Sequence, residues 1–182
     1  MQIADCRLQI ADFKTPVSDR MTRIITLILP CAAFLLGTFS AAGEKKKSLE
    51  QTADEVKIFE MTNDERKNKD VAALVLNPAL SKVARAHSEN MAKQMKFEHK
   101  LDDKSPFDRL RDAGYKYAFA GENIAFGDEN PSLAMIMKSW MDSKDHRANI
   151  LQKEYTEIGI GIARDKTGHT YYTQVFGRPF KK

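Results

Sequence analysis

Residues 157–177 read EIGIGIARDKTGHTYYTQVFG, and the period inside this stretch decides the fold class. Ile158, Ile160 and Ile162 alternate with Gly159, Gly161 and Ala163, the period of two that belongs to a strand. Asp165 to Gly168 is a short link ending in glycine, after which HTYYTQVFG resumes strand composition. The pair is expected to form a hairpin. Gly159 and Gly161 leave one strand face nearly bare, which suits a helix or loop packed close against it.

Upstream of the hairpin the period is helical. Ser48-Leu49-Glu50-Gln51 has the spacing of a capping box and predicts a helix to about Asn68, with Leu49, Val56, Phe59 and Ala53 on its apolar side. Asn77-Pro78 is a start signal, asparagine capping and proline in the first turn. Leu80, Val83, Ala84, His87 and Met91 then recur on one helical face. A short helix is expected over 106–112, ended by Ala113-Gly114. Asn130-Pro131 opens another, with Leu133, Ile136, Met137, Trp140 and Met141 on one face. Asp145-His146 begins a further turn, and GENIAF at 121–126 suits a further strand. Helices followed by a hairpin make an α+β domain.

The N-terminal segment has a different character. Residues 24–42, IITLILPCAAFLLGTFSAA, form the long apolar stretch, preceded by Arg20 and Arg23 and closed by Ser40-Ala41-Ala42. That order is the one a secretory signal has, and Met21 gives it the usual short length. Residues 1–20, in which Gln2-Ile3-Ala4-Asp5 recurs as Gln9-Ile10-Ala11-Asp12, are expected to be a spacer or an upstream mis-start outside the fold. The expected organisation is a signal peptide over 21–42, a linker and helix start over 43–53, the domain over 54–178 and a tail over 179–182. An uncleaved membrane anchor is the alternative, because 19 residues nearly span a bilayer. The expected location is secreted, or periplasmic within the cell envelope. Cys6 and Cys31 both precede the expected cleavage point, so the mature chain would carry no disulfide.

Among 182 residues, 42% are hydrophobic and 30% charged, which excludes collagen-like, low-complexity and polytopic membrane chains. The net charge of +4 is dispersed, and the basic run Lys45-Lys46-Lys47 lies beside the apolar segment. No nucleic-acid partner is therefore expected. The mature part is long enough to bury its own core, and it is expected to be a monomer.

The four histidines are His87, His99, His146 and His169. His87 lies among apolar residues, where a hydrogen-bonded core or boundary histidine is expected; His99 lies past a helix end, in FEHKLDD. Glu122, flanked by Gly121 and Asn123, is either an acceptor for loop amides or a carboxylate facing a cleft. The chain has no HExxH, GxSxG, paired CxxC or phosphate loop. Serines 88, 105 and 143 carry no local sign of activation.

The succession HSENMA (87–92), FEH (97–99), AGENIAFG (120–127), SWMDSKDHRANIL (139–151), EIGIGIA (157–163) and YYTQVFG (171–177) resembles the CAP superfamily. This is the group of cysteine-rich secretory, antigen-5 and pathogenesis-related-1 proteins, also called SCP domains; the likeness is greatest to its short bacterial members. The resemblance implies a three-layer α-β-α sandwich around a small antiparallel sheet. It also implies a cleft that in many members gathers two histidines and two acidic residues able to hold a divalent cation such as zinc.

By motif, His99 matches the first cleft histidine and Glu122 the first glutamate. Ser143 stands where the second glutamate would be, and Tyr171 where the last histidine would be. His146 or His169 is then a replacement ligand. Two functions follow. In one, His99, Glu122, Ser143, His146 and Tyr171 line a cleft for a lipid, cell-wall fragment, peptide or partner protein. In the other, the domain is a metal-assisted hydrolase or protease, with Glu122 as base, His99 as acid or ligand, and His99 and His146 holding the metal.

Overall fold

The structure, a computed structural model, describes the main chain of residues 2–7 together with residues 51–128 and 131–180. The expected signal peptide lies outside the described residues. Strand β1 (Gln2–Arg7) is followed by helix α1 (Ala53–Lys67), β2 (Val75–Leu76), α2 (Pro78–Gln94), α3 (Pro106–Asp112) and β3 (Tyr117–Gly127). Helices α4 (Leu133–Asp142) and α5 (Lys144–Ile150) then precede the hairpin β4 (Glu157–Arg164) and β5 (Thr170–Pro179).

The sheet order is β1-β3-β5-β4-β2. The β3–β5 and β5–β4 pairs are antiparallel, and the short outer strands β1 and β2 run parallel to their neighbours. Side chains alternate across β3. Ala125 packs with Ile58, Ile136, Trp140, Ile150, Ile158 and Phe176, which puts α1, α4 and α5 on one face. Ala120 and Ile124 pack with residues of α2, α3 and the segment after α2 on the other. Helices cover both sides of a mainly antiparallel sheet, the α-β-α arrangement.

The hairpin glycines do what their spacing predicts. A Cβ on Gly159 would lie 2.1 Å from the carbonyl carbon of Leu80, and one on Gly161 would lie 2.2 Å from that of Ala84. The α2 main chain therefore rests directly on β4, and its buried face carries Leu80, Val83, Ala84, His87 and Met91, as the period requires.

Helix α1 departs from its sequence reading. Its cap is Thr52, and the capping box joins Thr52 to Glu55. The face turned inward is Glu55, Ile58, Thr62 and Arg66, while Val56 is exposed. Each buried polar group on it finds a partner. Glu55 pairs with Arg85 and accepts from the Ile162 amide. Arg66 donates to the carbonyls of Ala72, Ile150, Gln152 and Tyr155 at 2.7–3.3 Å. Polar burial on this scale is stable only when saturated with hydrogen bonds, and those partners lie in distant segments.

Two further expectations shift. Helix α4 is capped by Ser132, whose hydroxyl accepts from the Met135 amide, so the start lies inside Asn130-Pro131. Residues 2–7, expected outside the fold, supply β1. They pair along the outer edge of β3, where main-chain groups not used by β5 form a template for an extended segment.

Candidate functional site

Glu122 lies mid-strand in β3, fully buried, with its side chain in the layer of α2 and α3. Three elements deliver its neighbours. His87 comes from the buried face of α2. Beyond α2, Met95 takes a left-handed conformation (φ 51°), ends the helix and turns the chain so that Phe97 enters the core. His99 then reaches Glu122, its Nδ1 at 2.8 Å from Oε1. The third neighbour is Arg109 of α3, a helix started by the reciprocal Ser105–Asp108 capping box.

Arg109 organises the group. Its Nη2 donates to both Glu122 oxygens, at 2.9 and 2.7 Å, and its Nη1 donates to the carbonyls of His99 and Lys104. One guanidinium thus neutralises a buried carboxylate and ties down the loop that carries His99. Burial alone would raise the Glu122 carboxyl. The His99 hydrogen bond and the charge of Arg109, joined by His87 when it is protonated, outweigh it and hold the group below its ordinary value.

His87 behaves in the opposite sense. It is 1% exposed, its Nε2 lies 3.8 Å from Glu122 Oε1, and neither ring nitrogen has a hydrogen-bond partner in good geometry. It is in the core, as expected, where the Glu98 main chain is a weak polar partner. Desolvation pushes its pKa down to about 4 against the pull of Glu122. At neutral pH His87 is neutral, which leaves Arg109 as the permanent counter-ion of Glu122.

Between the unfolded value of 6.5 and about 4, the unfolded chain binds a proton that the folded chain does not. The linked stability is therefore present above pH 6.5 and lost as pH falls toward 4, to the extent of about 3 kcal/mol. Urea unfolding of wild type and His87→Gln across pH 4–7 checks this: the wild-type slope should flatten in the variant.

The other predicted residues are arranged differently. His146 lies on α5, in the layer of α1 and α4, and the carbonyl of its own residue accepts from Asn123. It is not among the partners of the Glu122 carboxylate. Ser143 is the joint where α4 ends and α5 begins, with extended backbone (φ −81°, ψ 128°). That break takes Ser143 and His146 off the continuous helix face the sequence reading supposed. Tyr171 is buried by Phe126, their rings 5.1 Å apart, and its hydroxyl donates to Asp165 at 3.2 Å. Burial and Asp165 push that phenol up to about 12. His169 lies against Phe126 and Asp165, so Tyr171 and His169 line a separate cleft of about 400 Å³ at the β4–β5 turn.

The zinc set implied by the resemblance does not fit this arrangement. Both oxygens of Glu122 are bonded to Arg109, a permanent cation that repels a second one from the same carboxylate. Among the described residues no group of three or more His, Cys, Asp or Glu side chains converges in a way that could hold a metal ion. His99 and Glu122 are brought together; His146 does not join them.

The sequence reading missed a second polar cluster on the opposite face. Asn123 donates to Gln174 Oε1, Asn149 to Asn123 Oδ1 and the Glu122 carbonyl, and Gln174 to Thr62. These groups lock β3, β5, α5 and α1 together through buried amides. The available signal was an amide side chain within each of the apolar runs GENIAF, HRANIL and YYTQVF.

The cysteine-rich secretory protein (CAP) family matches residues 59–176, the span that contains the whole Glu122 group. The chain belongs to the CAP family. The uncharacterized protein YkwD of Bacillus subtilis (strain 168) is 38% identical to this CAP chain over 128 residues, covering 70% of the chain and 48% of YkwD. An extracellular SCP-domain protein of Bacillus anthracis is similar in structure, with TM-score 0.62 and 28% identity over 69% of this chain and 40% of that one. An outer surface protein of Borrelia burgdorferi shares the fold, with TM-score 0.65 at 19% identity over 72% of this chain and 97% of its own. The CAP chain thus spans less than half the length of the curated Bacillus relative it matches. Among its described residues no helix is long and apolar enough to cross a membrane.

Proposed function

We propose that this CAP domain is an exported binding module, which presents the cleft around His99 and Glu122 to a lipid, cell-wall fragment or peptide and does not catalyse a reaction on it. The observation that carries the reading is the Arg109–Glu122 pair. A general base needs a carboxylate oxygen within reach of a substrate proton, and a carboxylate whose two oxygens are both bridged by one guanidinium nitrogen is a weak base. Both oxygens of Glu122 are so held.

The serine nearest in sequence to His87 is also committed elsewhere, since the Ser88 hydroxyl bonds to Thr173 and the Gly161 carbonyl. His99, 12% exposed in its side chain, stands at the mouth of the group. Export is supported by the apolar segment 24–42 and by the extracellular description of the Bacillus anthracis relative.

Calorimetric titration with zinc, set beside NMR shift mapping with lipid micelles, muropeptides and peptides, tests the proposal. Binding of one of these organic ligands with shifts centred on His99, lost in His99→Ala without loss of fold, is the expected result. Stoichiometric zinc binding abolished by both His99→Ala and His146→Ala would instead favour the metal-assisted hydrolase.

A further inference from the structure

The pairing of the sheet identifies which main-chain groups of β3 point outward. The Asn77 amide donates to the Ile158 carbonyl, so the even residues of β4 face β2 and its odd residues face β5. In antiparallel pairs, bonded and non-bonded positions alternate. Carried through the registers, Gly121, Asn123 and Ala125 bond to β5, while Glu122, Ile124 and Phe126 turn their N–H and C=O groups to the outer edge. Two side chains already meet this edge: Asn149 donates to the Glu122 carbonyl at 3.3 Å and Trp140 to that of Ile124 at 3.1 Å. Each carbonyl has a second lone pair, and among the described residues no side chain accepts from the outward amides.

Those amides belong to a buried strand. With β1 in place residues 120–125 are buried throughout, and an amide buried there without an acceptor costs about 1–3 kcal/mol. The chain supplies the missing partner itself. β1 lies along this edge in parallel register over six residues, Gln2 opposite Gly121 through Arg7 opposite Phe126, with α5 alongside. A parallel ladder places the Ala4 amide at the Glu122 carbonyl and the Ala4 carbonyl at the Ile124 amide. Recognition of this kind rests on the main chain and tolerates many sequences.

We propose that the outer edge of β3 is a peptide-binding edge that takes one extended segment parallel to β3. In the full chain Gln2–Arg7 occupies it. Cleavage after the apolar segment 24–42 removes that occupant and leaves the edge to an extended peptide of a partner protein. The ligand's main chain pairs with Glu122, Ile124 and Phe126, beside the His99–Glu122–Arg109 group. This reading goes beyond the cleft and stands whether or not the Glu122 side chain contacts a ligand.

Amide exchange by NMR on the full chain, prepared without export, tests it. Ala4→Pro removes the amide that faces β3, whereas Asp5→Pro alters one that faces away. Exchange at Glu122, Ile124 and Phe126 should rise by about tenfold or more in Ala4→Pro and stay near wild type in Asp5→Pro. Adding the peptide MQIADCRL to the Ala4→Pro chain should restore protection, and the same peptide methylated on the Ala4 nitrogen should not. If the proline unfolds the chain, displacement of the wild-type strand by excess plain but not methylated peptide gives the same information. Equal exchange in wild type and both variants, or no discrimination between the two peptides, overturns the proposal.

Discussion

Arg109→Ala is expected to destabilise the domain by about 3–5 kcal/mol, because it leaves the fully buried Glu122 carboxylate without its cation. The guanidinium also holds the carbonyls of His99 and Lys104, so the 99–104 loop should loosen at the same time. Arg109→Lys should fall between, since an ammonium keeps the charge but cannot also hold the His99 and Lys104 carbonyls as the second guanidinium nitrogen does. The decisive comparison is the double variant Arg109→Ala/Glu122→Gln. Removing the charge together with its partner should recover part of the loss, and denaturant titration of wild type, Arg109→Ala, Glu122→Gln and the double variant measures the coupling. Purely additive losses would show that the pair is not the unit it looks to be. The coupling is also how the binding proposal and the fold meet: the ionised carboxylate next to His99 exists only because α3 delivers an arginine to it.

Gly161→Ala is expected to cost about 3 kcal/mol or more, at or beyond the upper end of ordinary overpacking, because what stands in the way is main chain. The new methyl would meet the Ala84 carbonyl carbon and the Arg85 nitrogen, both at 2.2 Å, and no rotamer change can relieve that. Helix α2 would have to lift off β4, and with it His87 would leave Glu122. Gly114→Ala is the control: nothing lies within 4 Å of its Cβ, and only its left-handed backbone (φ 71°) is strained, at a cost of about 1–2 kcal/mol. Thermal or urea midpoints for the two variants separate close packing from backbone strain. Equal losses would refute the packing account.

How much could be read in advance varies from element to element. The Asn77-Pro78 start, the apolar face of α2, the span of α3 and the glycine-lined hairpin were legible because each rests on local chemistry: a cap, a period, a missing Cβ. The motif succession also led to the CAP resemblance and to His99 and Glu122 as a pair. Arg109 was not legible, although it lies between them in the chain. One arginine in a short amphipathic helix looks like a solvated charge until the helix is docked.

The α1 face failed for the same reason. Apolar spacing pointed to Val56 and Phe59, but Glu55, Thr62 and Arg66 go inward because an arginine from α2, an amide from β4, the Gln174 side chain from β5 and carbonyls at and after the end of α5 await them. Likewise Ser143 and His146 fall at a helix break, and Tyr171 is drawn to Asp165.

By itself the sequence determined the α+β class, the start of α2 at Asn77-Pro78 and the close approach of some helix or loop to the glycine face of the hairpin, all of which depend on groups a few residues apart. Only the tertiary structure decided which buried charges are satisfied, that Arg109 rather than a metal ion faces Glu122, and which edge of β3 can take another strand. Those outcomes depend on donors and acceptors far apart in the chain, whose pairing has no period to read.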